Sequence, residues 1–153
     1  MNRQQLLNRL DDAWAALKES YAGLADSEMM VPGVVGEWSV KDILGHVTTW
    51  EEESLKVLPL IIRGGKPPRY STQYGGIDAF NAQTTRQKQS LSLSEVLQQL
   101  DEVHSRLIDS LQDAPEEQFA TETPFRRRLR LDTYSHHRVH ARAIREWREA
   151  SRR

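Results

Sequence analysis

An all-α four-helix bundle with a long crossover connection is the predicted fold, and three observations carry it. Four stretches repeat apolar residues at spacings of three and four, the period of an α-helix. Two of them open with a Ser followed three residues later by an acid, a pattern that satisfies the free N–H groups of a helix start. No stretch shows a convincing strand pattern of alternating polar and apolar residues. With 153 residues, 38% of them hydrophobic, residues 1–153 suffice for one domain with a core of its own.

In the first helix Leu10, Trp14, Leu17, Tyr21 and Leu24 fall four, three, four and three apart and share one stripe. "ADSEMMVPGVVGEW" then carries Pro32, Gly33 and Gly36 and reads as a connection. In "WSVKDI", Ser39 caps the second helix and Asp42 returns the bond, while Trp38 and Ile43 form a hydrophobic staple. Ile43, Val47, Trp50, Leu58 and Ile61 extend the apolar face to "RGGKPP", where glycines and prolines end it. Residues 69–76 read as loop, and "IDAFNAQTTRQKQ" begins a short helix at Asp78. The third long helix repeats the box with Ser92 and Glu95 and the staple with Leu91 and Val96, and its stripe is Val96, Leu100, Val103, Leu107 and Leu111. Pro115 and "TETPF" mark the last connection, and "FRRRLRLD" leads to Asp132, read as the N-cap of a fourth helix that runs to about Glu149.

Charges nearly cancel, 21 Lys and Arg against 22 Asp and Glu, so no electrostatic case for a nucleic-acid or membrane partner arises, and neither partner is expected. The absence of cysteine excludes disulfides and thiol catalysis from the chain's own side chains, so any metal site must use His, Asp or Glu. Arg3, Asp11 and Asp12 interrupt the first apolar positions as a signal peptide would not, and no run approaches the roughly 18 apolar residues of a membrane span. A cytoplasmic protein is the expectation.

"SHHRVHARAIREW" places three of the five histidines within five residues. His136 and His140, four apart, project from successive turns of one helix face, an arrangement that chelates one divalent ion. His46, on the second helix, is the candidate third ligand, because an unpartnered imidazole there is costly to bury. His137 is rotated away and reads as a neighbour, and His104 as a solvated residue on the polar side of the third helix. Glu53, seven residues beyond His46, is the candidate catalytic general base. The alternative for "WEEES" is three acids on a wet face. Arg138, Arg142, Arg145 and Arg148 face away from the histidine stripe, and Trp14, Trp38, Trp50 and Trp147 form either an aromatic-lined cavity or a Trp-rich core.

"PGVVGEWSVKDILGHVTTWEE", "IDAFNAQ" and "DTYSHHRVHARAIREW", in that order and spacing, resemble the DinB-like superfamily and its ClbS/DfsB-type four-helix-bundle branch over nearly the whole chain. The resemblance implies a triad of His46, His136 and His140 on zinc, nickel or a similar ion. It also implies chemistry on small electrophiles, with a low-molecular-weight thiol as a cofactor in some members, and homodimers are common among relatives. Two positions depart from the family pattern, Asp132 in place of Asn and His137 in place of Tyr, so the groups around the ligands differ. The function expected is a divalent-metal-dependent hydrolase or thiol S-transferase in detoxification or stress response. The alternative is a non-enzymatic bundle that binds a ligand or partner without a functional metal.

Overall fold

Asn2, Ser39, Ser92 and Thr123 each accept, on a side-chain oxygen, the N–H three residues ahead at 2.9–3.1 Å, and a helix begins after each. The computed structural model describes residues 1–152. Its helices are α1 (Arg3–Tyr21), α2 (Asp26–Met29), α3 (Val40–Ile62), α4 (Tyr70–Gln73), α5 (Ile77–Lys88), α6 (Leu93–Asp113), α7 (Glu117–Ala120), α8 (Pro124–Asp132) and α9 (Tyr134–Ser151). The described residues form no strand, only a single bridge between Val35 and Trp38. None of their helices is long and apolar enough to cross a membrane.

Four long helices, α1, α3, α6 and α9, make the bundle. α1 packs on α9 and α3 on α6, while α1 against α6 and α3 against α9 close the ring. Two apolar clusters show the helix directions. One holds Leu6, Leu10, Leu58, Leu107, Leu111 and Tyr134; the other holds Leu17, Ile43, Val47, Leu100, Ala141 and Ile144. α1 and α9 therefore run from the first cluster to the second, and α3 and α6 the opposite way. Adjacent parallel helices cannot be joined by a tight turn, so the chain from 63 to 92 must return along the bundle. It does so as α4 and α5, and α5 packs along α3. This is the expected crossover.

Two stretches read as connections prove helical. Residues 69–76 contain α4, whose Tyr70 and neighbouring Tyr74 join a satellite cluster with Trp50 and Phe80. "PFRRRLRLD" is α8, with Thr123 as N-cap and Pro124 in the first turn, where its missing N–H costs nothing. Asp132 is consequently the last residue of α8 and not the N-cap of the next helix. The chain breaks at Thr133, whose φ of −124° and ψ of −96° leave the helical region, and α9 starts without a side-chain cap. Asp132 instead accepts bonds from Ser54 Oγ at 2.7 Å and Arg128 Nε at 2.6 Å, pinning α8 to α3.

Candidate metal centre

His46 lies in the second turn of α3, and His136 and His140 in the first two turns of α9, so a capped helix start and a helix restart meet here. His136 Nε2 lies 2.9 Å from both His46 Nε2 and His140 Nε2, and the three ligand atoms fall within 4.8 Å of one another. The Nδ1 atom of each ring is buried and has no hydrogen-bond partner. Burial, followed by the proximity of His140 and Lys88, pushes His46 down to about 3. His136 is pushed down to about 2 by burial and the neighbouring histidines, and His140 to about 4 by burial and His137. All three imidazoles are therefore neutral at pH 7, and each has a ring nitrogen with a free lone pair.

Convergence of neutral imidazoles is what a divalent transition ion requires of its ligands. Three nitrogens this close have at most a shared proton to offer one another, whereas a cation accepts all three lone pairs. The donor set therefore fits the metal. Among the described residues no fourth His, Cys, Asp or Glu joins the group, which leaves further coordination positions to a small molecule.

Beside the triad lies a cavity of about 380 Å³. His46 and His136 reach its wall beside Trp50, Tyr70, Asn81 and Asp132, and Ile77 and Leu131 stand at it as well. Asn81 accepts the Trp50 indole N–H at 2.9 Å, which ties α5 to α3. A chain of polar contacts runs behind the wall. The Tyr70 hydroxyl donates to Glu53 at 3.0 Å and accepts from Arg128 at 2.7 Å, and Arg128 also bonds Asp132. Burial raises the Asp132 carboxyl above its ordinary value, although Arg128 and Ser54 act against the shift.

Several sequence expectations need correction here. Glu53 is buried, and so is Glu51, so "WEEES" is not a wet face. The Glu53 carboxylate is occupied by Tyr70 and by Lys56 at 3.2 Å, and it approaches the cavity only through Tyr70. His104 is not solvated: it is buried, lies flat on Trp14 with ring centroids 3.5 Å apart, and bonds the Glu51 carboxylate through Nδ1 at 2.7 Å. His137 is fully buried, with Nε2 3.1 Å from the same oxygen. The four tryptophans do not share the cavity beside the histidines. Trp50 alone stands at the one beside the histidines; Trp38 packs against the His46 ring, Trp14 on His104, and Trp147 on the cluster around Leu17. Arg138, Arg142 and Arg145 are exposed as expected, whereas Arg148 bonds the Ser20 carbonyl.

Glu51, Asp132 and Arg128 are the site residues that the sequence reading missed. Glu51 did leave a signal, since it follows Val47 by four and precedes Leu58 by seven, inside the apolar stripe. Arg128 left none, because three consecutive arginines show no preference for one of them being buried.

Comparison with known proteins agrees with the fold. Residues 4–146 match the DinB superfamily. The solved structure of DfsB, described as a sibling lethal factor precursor, superposes over 100% of this chain and 98% of its own with a TM-score of 0.84 at 15% identity. An uncharacterised protein from Escherichia coli UTI89 covers 99% of this chain and 95% of its own, with a TM-score of 0.81 and 15% identity. The colibactin self-resistance protein ClbS, solved in complex with double-stranded DNA, covers 95% and 94% with a TM-score of 0.79 and 12% identity. No curated protein matches the chain. The ClbS complex overturns the exclusion of nucleic-acid partners drawn from net charge. A sum near zero over the chain does not describe the local charge of any one face. On the match across 143 residues, with the bundle and its three histidines in place, the chain belongs to the DinB superfamily and has the fold shared by DfsB and ClbS.

Proposed function

We propose that this protein is a divalent-metal-dependent enzyme, a hydrolase or a thiol S-transferase, acting on a small electrophile in detoxification or stress response. The observation that carries the reading is the convergence of three neutral imidazoles, His46 and His140 buried and His136 half-buried, two of which stand at the wall of a cavity, with no fourth protein ligand among the described residues. His46, His136 and His140 would hold zinc or nickel. Such an ion, when bound, supplies Lewis-acid activation that makes a water or a low-molecular-weight thiol nucleophilic near neutral pH. The residues of the chain do the remainder. Trp50 and Tyr70 shield the reacting groups from water, and Asn81 offers an amide to orient the substrate. Asp132 is the carboxyl on the cavity wall, placed to accept or return a proton, while Glu53 holds the Tyr70 hydroxyl in position.

Elemental analysis of tag-free protein purified without chelator tests this reading, beside a His136→Ala/His140→Ala variant shown by circular dichroism to fold. Near-stoichiometric zinc or nickel in the parent and its loss in the variant is the expected outcome. Negligible metal in both, persisting after incubation with a panel of divalent ions, removes the metalloenzyme reading.

A further inference from the structure

The cavity beside the histidines has a distinctive balance of charge and apolar surface. Ile77 and Leu131 stand at it while remaining 54% and 60% exposed, unlike the fully buried leucines of the core. Large aliphatic side chains left open beside a concave site mark a surface that a ligand covers. Their placement is built into the backbone. Leu131 immediately precedes the pinned Asp132. Ile77 opens α5 directly after Gly75 and Gly76, whose φ values of 82° and 114° suit glycine and strain other residues. Trp50 and Tyr70 add two ring faces to the wall.

The charges around the cavity narrow the choice of ligand. Among the described residues no Lys or Arg stands at its wall, and Asp132 is the one carboxyl there. The nearest guanidinium, Arg128, is already committed to Asp132 and Tyr70 and lies 5.6–5.7 Å from the centres of the Tyr70 and Trp50 rings. Without a bound ion, an anionic group entering this space would lose water, meet a carboxyl and find no free cation among the described residues. We propose that the cavity selects an uncharged molecule with an apolar, ring-sized body, whose apolar part rests on Ile77 and Leu131 while its reactive end faces His46 and His136. The orientation of the reactive end rests on the metalloenzyme reading; the selection against anions is a property of the cavity before an ion is bound.

A matched pair of fluorescent probes tests the selection on metal-free protein: N-phenyl-1-naphthylamine and its sulfonated analogue, 8-anilinonaphthalene-1-sulfonate. The neutral probe is expected to bind tighter. Leu131→Asp should weaken it by about tenfold or more, the loss expected when a covered aliphatic side chain becomes a charge. Leu131→Arg should shift the preference toward the sulfonate. Because Leu131 is mostly exposed, both variants should keep the parent's circular dichroism and urea midpoint. Equal or tighter binding of the sulfonate by the parent overturns the proposal, as does a preference that neither variant moves. The measurement needs no bound ion, so a failed metal analysis and a failed probe preference remain separate results.

Discussion

Glu51 stands within the stripe that α3 turns toward the other long helices, and its carboxylate lies between His104 of α6 and His137 of α9. Burial pushes its carboxyl up, but the two histidines outweigh burial and hold it below the ordinary range. Removing the carboxylate would take from buried His104 its hydrogen-bond partner and from buried His137 the negative charge 3.1 Å from its Nε2, and loss of one member of such a buried group is costly. Glu51→Ala should therefore lower stability by about 3 kcal/mol or more, with Glu51→Gln less damaging because its amide oxygen still accepts one bond. Urea denaturation of the two variants decides this, and near-parental stability of the Ala variant would contradict it.

The helix starts place the ligands. His46 is seven residues beyond Ser39, so its position in space depends on α3 being wound from its first turn. Ser39 and Asp42 exchange bonds at 3.1 Å, and Asp42 also places a negative charge where the helix dipole is positive. Ser39→Ala should cost about 1 kcal/mol, read as a lowered denaturation midpoint with an unchanged m-value. An unaltered midpoint would show that packing alone sets the start of α3. At the other side of the site, the break at Thr133 lets α8 and α9 take different directions. The Ser54–Asp132–Arg128 contacts hold α8 to α3 just before the two ligands of α9 begin.

Across the bundle, polar groups form a layer between two apolar clusters. On α1 Trp14 lies between Leu10 and Leu17; on α3 Glu51 lies between Val47 and Leu58; on α6 His104 lies between Leu100 and Leu107; on α9 His137 lies between Tyr134 and Ala141. The triad beside this layer ties global stability to pH. In the metal-free protein the three ligand histidines titrate at about 3, 2 and 4, against 6.5 in the unfolded chain. Between pH 6.5 and 4 the unfolded state therefore binds more protons at these sites, and stability falls as pH falls. The slope approaches about 1.4 kcal/mol per pH unit for each histidine once the unfolded chain is protonated there. Asp132, raised by burial, works against this trend only near the carboxylate range. Urea midpoints of chelator-treated protein at pH 7, 6 and 5 should drop progressively, and replacing His46 and His136 by Gln should flatten the profile. A parental profile flat from pH 7 to 5 would refute the linkage.

Much of this was legible from local patterns. Apolar spacing revealed the four long helices, Ser39 and Ser92 marked the starts of α3 and α6, although the reciprocal backbone bond of the expected capping box forms only at α3, and the i, i+4 spacing of His136 and His140 put both on one face. These are properties of a few consecutive turns, and short-range geometry suffices to read them. His46 was reachable too, because a histidine near the start of an apolar face needs a partner. Glu51, His104 and His137 interrupt apolar stripes at helical spacing, a sign that they face inward, yet nothing local says that three such interruptions meet. Asp132 was misplaced because Thr123 and Pro124, nine and eight residues upstream, had already started a helix through it. The burial of Arg128, the closeness of Glu53 to Tyr70 and the cavity between α3, α5, α8 and α9 depend on segments distant in the chain. Which polar group is covered and which meets solvent follows from the packing of separate helices, and spacing within one helix does not contain that information.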